Sequence, residues 1–145
     1  MFLKLLVPAV AIAAVFVCGP AFAQSGTDDA KVDCANTSVQ SELNICADRA
    51  FDKADQALNV QYKKARAAMV ALDANLSGEL KGAEKALVKA QRAWVDYRDG
   101  ECESQGFRMR GGSAEPMVVS GCKESLTKQR TKELKELADG PEANQ

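Results

Sequence analysis

Apolar and small residues recur along this chain at steps of three and four. From Ser38 to Leu72 they fall at Leu43, Ala47, Ala50, Ala54, Leu58, Tyr62, Ala65, Met69 and Leu72. That spacing keeps them on one face of a helix and leaves the charged residues on the other. Thr37 or Ser38 is placed to cap its start. The stretch Asp73-Ala74-Asn75-Leu76-Ser77-Gly78 breaks the pattern with turn-forming residues. A second helix is expected over Glu79–Ser104, with Leu80, Ala83, Leu87, Ala90, Trp94 and Tyr97 or Arg98 facing inward. Gly82 and Gly100 should weaken it, each by about 1 kcal/mol relative to alanine. Gln105–Gly112 forms the next break. Ser113 is placed to cap a third helix, with Ala114, Glu115 and Pro116 in its first turn. Proline is tolerated there because that turn has no intrahelical N–H bond to lose. Val119, Cys122, Leu126, Arg130, Leu134 and Leu137 continue the third face, and Asp139-Gly140-Pro141 ends it.

A short link between two long amphipathic helices makes them antiparallel neighbours. The expected fold is therefore all-α: a small antiparallel three-helix bundle, built as a long helical hairpin plus a third helix. No alternation of period two suggests a strand, and no internal repeat is visible.

The first residues read as export information. Lys4 precedes the apolar run Leu5–Val17, and Ala21-Phe22-Ala23 places small residues at −3 and −1 of a cut before Gln24. This is the layout of a secretory signal peptide. The run is short for a membrane span. Cys18 is a poor lipid-attachment site, because Phe16 and Val17 stand where a small residue is needed. The expected organisation is a signal peptide over 1–23, a flexible leader over 24–32, a helical domain over 33–138 and a disordered tail over 139–145. Loss of Lys4 takes the formal charge from −1 to −2. A mildly acidic chain gives no reason to expect nucleic acid, which needs a basic surface. It would not repel a cationic protein.

Export changes the meaning of the cysteines. Without Cys18 four remain: Cys34, Cys46, Cys102 and Cys122. An even number in an oxidising compartment reads as a disulfide framework, each bond worth ~2–4 kcal/mol. Folding the chain about residue 75 brings all four toward one pole. Cys34–Cys46 with Cys102–Cys122 is favoured because both close short loops. Cys46–Cys102 with Cys34–Cys122 is the rival pairing.

Little in the sequence points to catalysis. The chain has no histidine, so a serine or cysteine nucleophile lacks its usual base. The cysteine spacings contain no C-x-x-C pair, and no metal or other cofactor is expected. Asp48, Asp52 and Asp55 share one helical stripe, which reads as a solvated flank rather than an acid–base pair. Ala90–Asp99 holds the single Trp; Trp94 fits the core register, and Arg98 can pair with an acid on the first helix. The better contact surface is the loop between the second and third helices. It carries Phe107, Arg108 and Arg110 ahead of Gly111, Gly112 and Ser113, and is tethered on both sides by cysteine. A pre-ordered loop binds with less entropy loss than a free one.

A set of spaced residues carries a family resemblance. Cys34 is followed by Gln40, Asn44 and Cys46, then by Ala54-Asp55, Leu58-Asn59 and Tyr62. Ala90-Gln91-Arg92-Ala93-Trp94 is followed by Tyr97-Arg98-Asp99 and Cys102. Gly111-Gly112-Ser113, Pro116-Met117, Cys122, Leu126-Thr127 and Arg130 close the set. In this the chain resembles the lysozyme inhibitor LprI-like family over about residues 33–137. The resemblance implies a small, helical, periplasmic or surface protein of the bacterial envelope that binds lysozyme and blocks it. It carries over no binding residues. The alternative is an envelope interaction module that binds another protein or a glycan without inhibiting lysozyme.

Overall fold

A computed structural model of the chain describes residues 31–140. The expected signal peptide, most of the leader and most of the tail lie outside the described residues. Three helices follow one another: α1 over Gln40–Ala74, α2 over Ala83–Gly106 and α3 over Glu115–Asp139. Single 3₁₀ turns precede α2 and α3, at Gly78–Leu80 and Phe107–Met109. The described residues contain no strand. The bundle runs up, down and up, so α2 is antiparallel to both neighbours and α3 lies parallel to α1. The most extensive packing is between α1 and α3 rather than within the α1–α2 hairpin. Small Ala54 and Ala65, both buried on α1, leave room for α3 to approach.

The core is narrow. Leu58, Ala65, Leu87 and Leu134 are buried together, with Tyr62, Met69, Trp94 and Ala138 packed around them. Most of the α1 face is as its periodicity requires. The α2 face is rotated from the expected one. Ala90 is exposed, and buried Gln91 takes its place. Leu72, Leu80 and Leu137, expected to face inward, are exposed. Leu72 and Leu137 line a shallow surface depression beside Met69 and Ala138, and Leu80 lies in the turn before α2.

The helix starts differ from expectation, for local reasons. Val39 rather than Thr37 or Ser38 is the cap residue of α1. The Thr37 hydroxyl instead accepts the Val39 amide proton at 3.1 Å and donates to the Glu42 carboxylate. α2 begins at Ala83, because Gly82 adopts a φ of 138° and sits outside the helix as its cap residue. Gly82 therefore costs α2 nothing as an interior glycine. The cap itself comes from the end of α1. The Asp73 carboxylate accepts the amide protons of Gly82 (2.8 Å), Ala83 (2.9 Å) and Glu84 (3.1 Å). Those three bonds hold its pKa below the usual carboxylate value. Ser113 does not cap α3: Ala114 occupies that place. Pro116 stands in the first turn, as expected.

The disulfides pair as favoured, Cys34 with Cys46 and Cys102 with Cys122, with Cα separations of 5.6 and 5.4 Å. The rival pairing is excluded. Both bonds lie at the pole formed by the start of α1, the end of α2 and the start of α3.

Candidate binding surface at the stapled pole

The connector between α2 and α3 is fixed from several directions. Cys102, fully buried, ties α2 to α3 one turn before the end of α2. One turn later α2 meets α3 at Gly106. A Cβ there would stand 2.5 Å from Val119 Cγ2, so only glycine allows this approach. Gly111 turns the chain with a φ of 77°, a conformation that side-chain-bearing residues rarely adopt. The Gly112 amide donates to the Met109 carbonyl at 2.8 Å. Glu115, in the first turn of α3, accepts from the Gly111 amide and from Arg110 Nη1, both at 2.9 Å. Across the gap, Asn44 of α1 donates to the Ser113 carbonyl at 2.9 Å, and Gln40 donates to Asn44 Oδ1 at 2.9 Å.

This bracing separates the expected contact residues into two kinds. Gly111, Gly112 and Ser113 shape the turn. Arg110 stacks 4.5 Å above the Phe107 ring and pairs with Glu115, so its charge is already engaged. Phe107 and Met109 are about half exposed. Arg108 is exposed beside Glu101, Ser104, Gln105 and Val118, and no ion pair holds its guanidinium among the described residues. The rim thus presents two apolar side chains and an unpaired cation on a rigid support.

Below the rim lies a polar layer. Arg98 is buried, yet reaches three helices. It donates to Asp55 on α1 at 3.1 Å, to Asp99 on its own helix at 3.0 Å and to Thr127 on α3 at 3.5 Å. Its guanidinium lies 5.1 Å from the Phe51 ring and 5.2 Å from Trp94, within cation–π range. Lys123 adds a 3.3 Å contact to Asp99. Burial alone would raise the Asp99 pKa, but Arg98 and then Lys123 hold it below the usual value. Asp55 is therefore a partner of a buried cation and not simply part of a solvated flank, whereas Asp48 and Asp52 are exposed. One level further, Gln91 Oε1 accepts from Arg130 Nε at 3.1 Å. Trp94 packs on the core, Arg98 is the inward residue, and Tyr97 and Arg92 face out.

Gln91 and Thr127 were not expected at buried positions, because polar residues count against a core face. The signal for them was the spaced set of polar residues that carries the family resemblance: Asp55, Gln91, Arg98, Asp99, Thr127 and Arg130 all belong to it and all join this layer.

The layer of Asp55, Arg98 and Thr127 also divides the charge. On the stapled side, residues 31–57 and 94–127 hold seven Lys or Arg against eleven Asp or Glu, a net −4. On the open side, residues 58–93 and 128–140 hold eleven Lys or Arg against six Asp or Glu, a net +5. The bundle is an electrical dipole along its axis.

Comparison with known proteins gives a relative and a family. The chain is 52% identical over 113 residues to an uncharacterized protein of Rhizobium meliloti (strain 1021), a match covering 76% of this chain and 81% of that relative. No solved structure matches it. The model of the family described as lysozyme inhibitor LprI matches residues 33–134, from the turn before the first disulfide to the last core leucine. The chain belongs to the lysozyme inhibitor LprI family.

Proposed function

We propose that this protein is exported to the periplasm or beyond and inhibits a lysozyme by laying the Phe107–Ser113 connector over the enzyme's cleft. The supporting observation is a family of lysozyme inhibitors combined, in this member, with a connector that is rigid and exposed at once. A lysozyme cleft holds a pair of carboxyl groups. A planar guanidinium suits a carboxylate, and a charge-assisted bond of that kind is among the stronger polar contacts. Arg108 is the residue for that contact, because Arg110 is spent on Glu115. Phe107 and Met109 supply the apolar area that excludes water around it. The acidic half around the rim would draw in a cationic partner and raise the encounter rate, an effect that salt screens. No chemistry is asked of the inhibitor, only occupation of the cleft. Export follows from cleavage after Ala23, which releases a chain beginning at Gln24. The two disulfides suit an oxidising compartment.

The test is a lysozyme assay with oxidised protein starting at Gln24. Inhibition is expected, and Arg108→Ala should weaken it by about 10–100-fold, the value of one charge-assisted contact. Arg110→Ala should act less, through a looser turn. No inhibition at large molar excess ends the lysozyme reading. Inhibition that both variants leave untouched clears the connector of the role.

A further inference from the structure

The open pole of the bundle combines two features that no packing within the described residues uses. The first is apolar. Leu80 is 71% exposed in the turn between α1 and α2, and Val70, Leu72 and Leu137 are exposed nearby. Leu72 and Leu137 face one shallow depression together with Met69 and Ala138. The second is charge. Lys85, Lys89 and Arg92 stand at helical spacing on one exposed face of α2, Lys81 precedes them, and none makes an ion pair among the described residues. Lys63 and Lys64 are exposed on α1 in the same half. Of the acids at this pole, Asp73 is occupied by the amides that start α2, Glu84 is paired with Arg66, and exposed Glu79 stands beside Leu80 against the larger number of cations.

We infer that this pole docks on an anionic phospholipid surface, with Leu80 and its neighbours entering the headgroup region while the lysines meet the lipid phosphates. Isolated exposed leucines are ordinary, and a run of lysines is usually solvated. A protruding apolar tip flanked by an excess of unpaired cations is the pattern that binds a charged lipid interface. The lysine stems can lie along apolar surface with their ammonium groups in the headgroups. No helix of the described residues is long and apolar enough to cross a membrane, and the contact inferred for this pole is a peripheral one. The axial dipole sets the orientation. The +5 half is drawn toward the lipid and the −4 half is turned away, which holds the Phe107–Ser113 rim roughly the length of α1, ~50 Å, from the surface. This inference does not depend on the inhibitory role.

Vesicle co-sedimentation tests it, with oxidised protein starting at Gln24, so that the apolar run Leu5–Val17 is absent. Binding is expected to vesicles of phosphatidylglycerol mixed with phosphatidylcholine, and release as ionic strength rises. Vesicles of phosphatidylcholine alone should retain little. Lys85→Glu with Lys89→Glu should lower partitioning by about 10-fold or more. Leu80→Ser should lower it by about threefold. Glu103→Gln, in the acidic half, should leave it unchanged, and circular dichroism should show every variant folded. Lysozyme inhibition by the charge-reversed variant should equal that of the parent, which keeps the two readings separable. Equal binding to neutral vesicles, or full binding by the charge-reversed variant, overturns the inference. So does retention on heparin without any binding to vesicles, which would point to a soluble polyanion.

Discussion

The two poles of this bundle are held by different means. At the stapled pole the buried residues are few and mostly not aliphatic: Ala54, Arg98, Cys102, Gly106 and Thr127. Two disulfides, a three-helix arginine network and a set of turn hydrogen bonds fix the backbone there. At the open pole no covalent link is present among the described residues, and Leu58, Ala65, Leu87 and Leu134 form the apolar core beside a single carboxylate cap. Among the described residues, the stapled end of this slim bundle buries no large aliphatic side chain. Covalent bracing at that end substitutes for burial. The apolar half carries the folding free energy, and the stapled half carries the shape.

If so, core truncation should act globally and staple removal locally. Leu134→Ala removes a fully buried side chain from the centre of the apolar half. About 3–5 kcal/mol of stability should be lost, read from chemical denaturation. Hydrogen exchange should quicken along all three helices together. If the connector amides of Gly111 and Gly112 kept their protection while the open pole melted, the two halves would be independent folding units and the apolar core would not carry the stapled pole.

Cys102→Ser with Cys122→Ser removes the staple that closes a 20-residue separation. The chain-entropy account gives a cost of about 3 kcal/mol. Its signature should be uneven. The Gly111 and Gly112 amides should exchange faster and inhibition should weaken, while the Gly82 and Ala83 amides at the other end change little in relative order. A uniform loss of protection would mean that the staple supports the whole bundle and does not specifically shape the rim.

The same contrast explains what was readable in the sequence. The open half follows hydrophobic periodicity, and Leu58, Ala65, Leu87 and Leu134 are where a 3.6-residue repeat puts them. The disulfides followed from loop length. The stapled half, and the polar layer that reaches from it to Gln91 and Arg130, escaped that logic. Gln91 and Thr127 are buried because Arg130 and Arg98 reach them, and a partner 29 or 39 residues away leaves no trace in local pattern. Only the recurring spacing of polar residues marked them. The rim was legible as a tethered connector, but not the division of labour within it. That Arg110 is engaged and Arg108 unpaired depends on Glu115 folding back over Gly111, which is a matter of side-chain geometry.

The smallest effect belongs to Asp73, and it isolates the way the open pole starts α2. Its carboxylate accepts three backbone N–H bonds across a connection of nine to eleven residues. These bonds, led by the one from Gly82, hold its pKa below the ordinary carboxylate value. A group held low in the folded state stabilises the fold above its unfolded pKa. That contribution falls away as the pH drops through the unfolded value toward the folded one. Asp73→Asn keeps the shape and removes the charge. Its Tm should sit slightly below that of the parent at neutral pH, and the two curves should converge in acid as the parent carboxylate becomes protonated. Part of the acid sensitivity should survive, since Asp99 at the stapled pole is also held low and is unaffected by the change. Parallel Tm curves at every pH would show that the charge at position 73 contributes nothing. The start of α2 would then rest on the Gly82 turn and on packing alone.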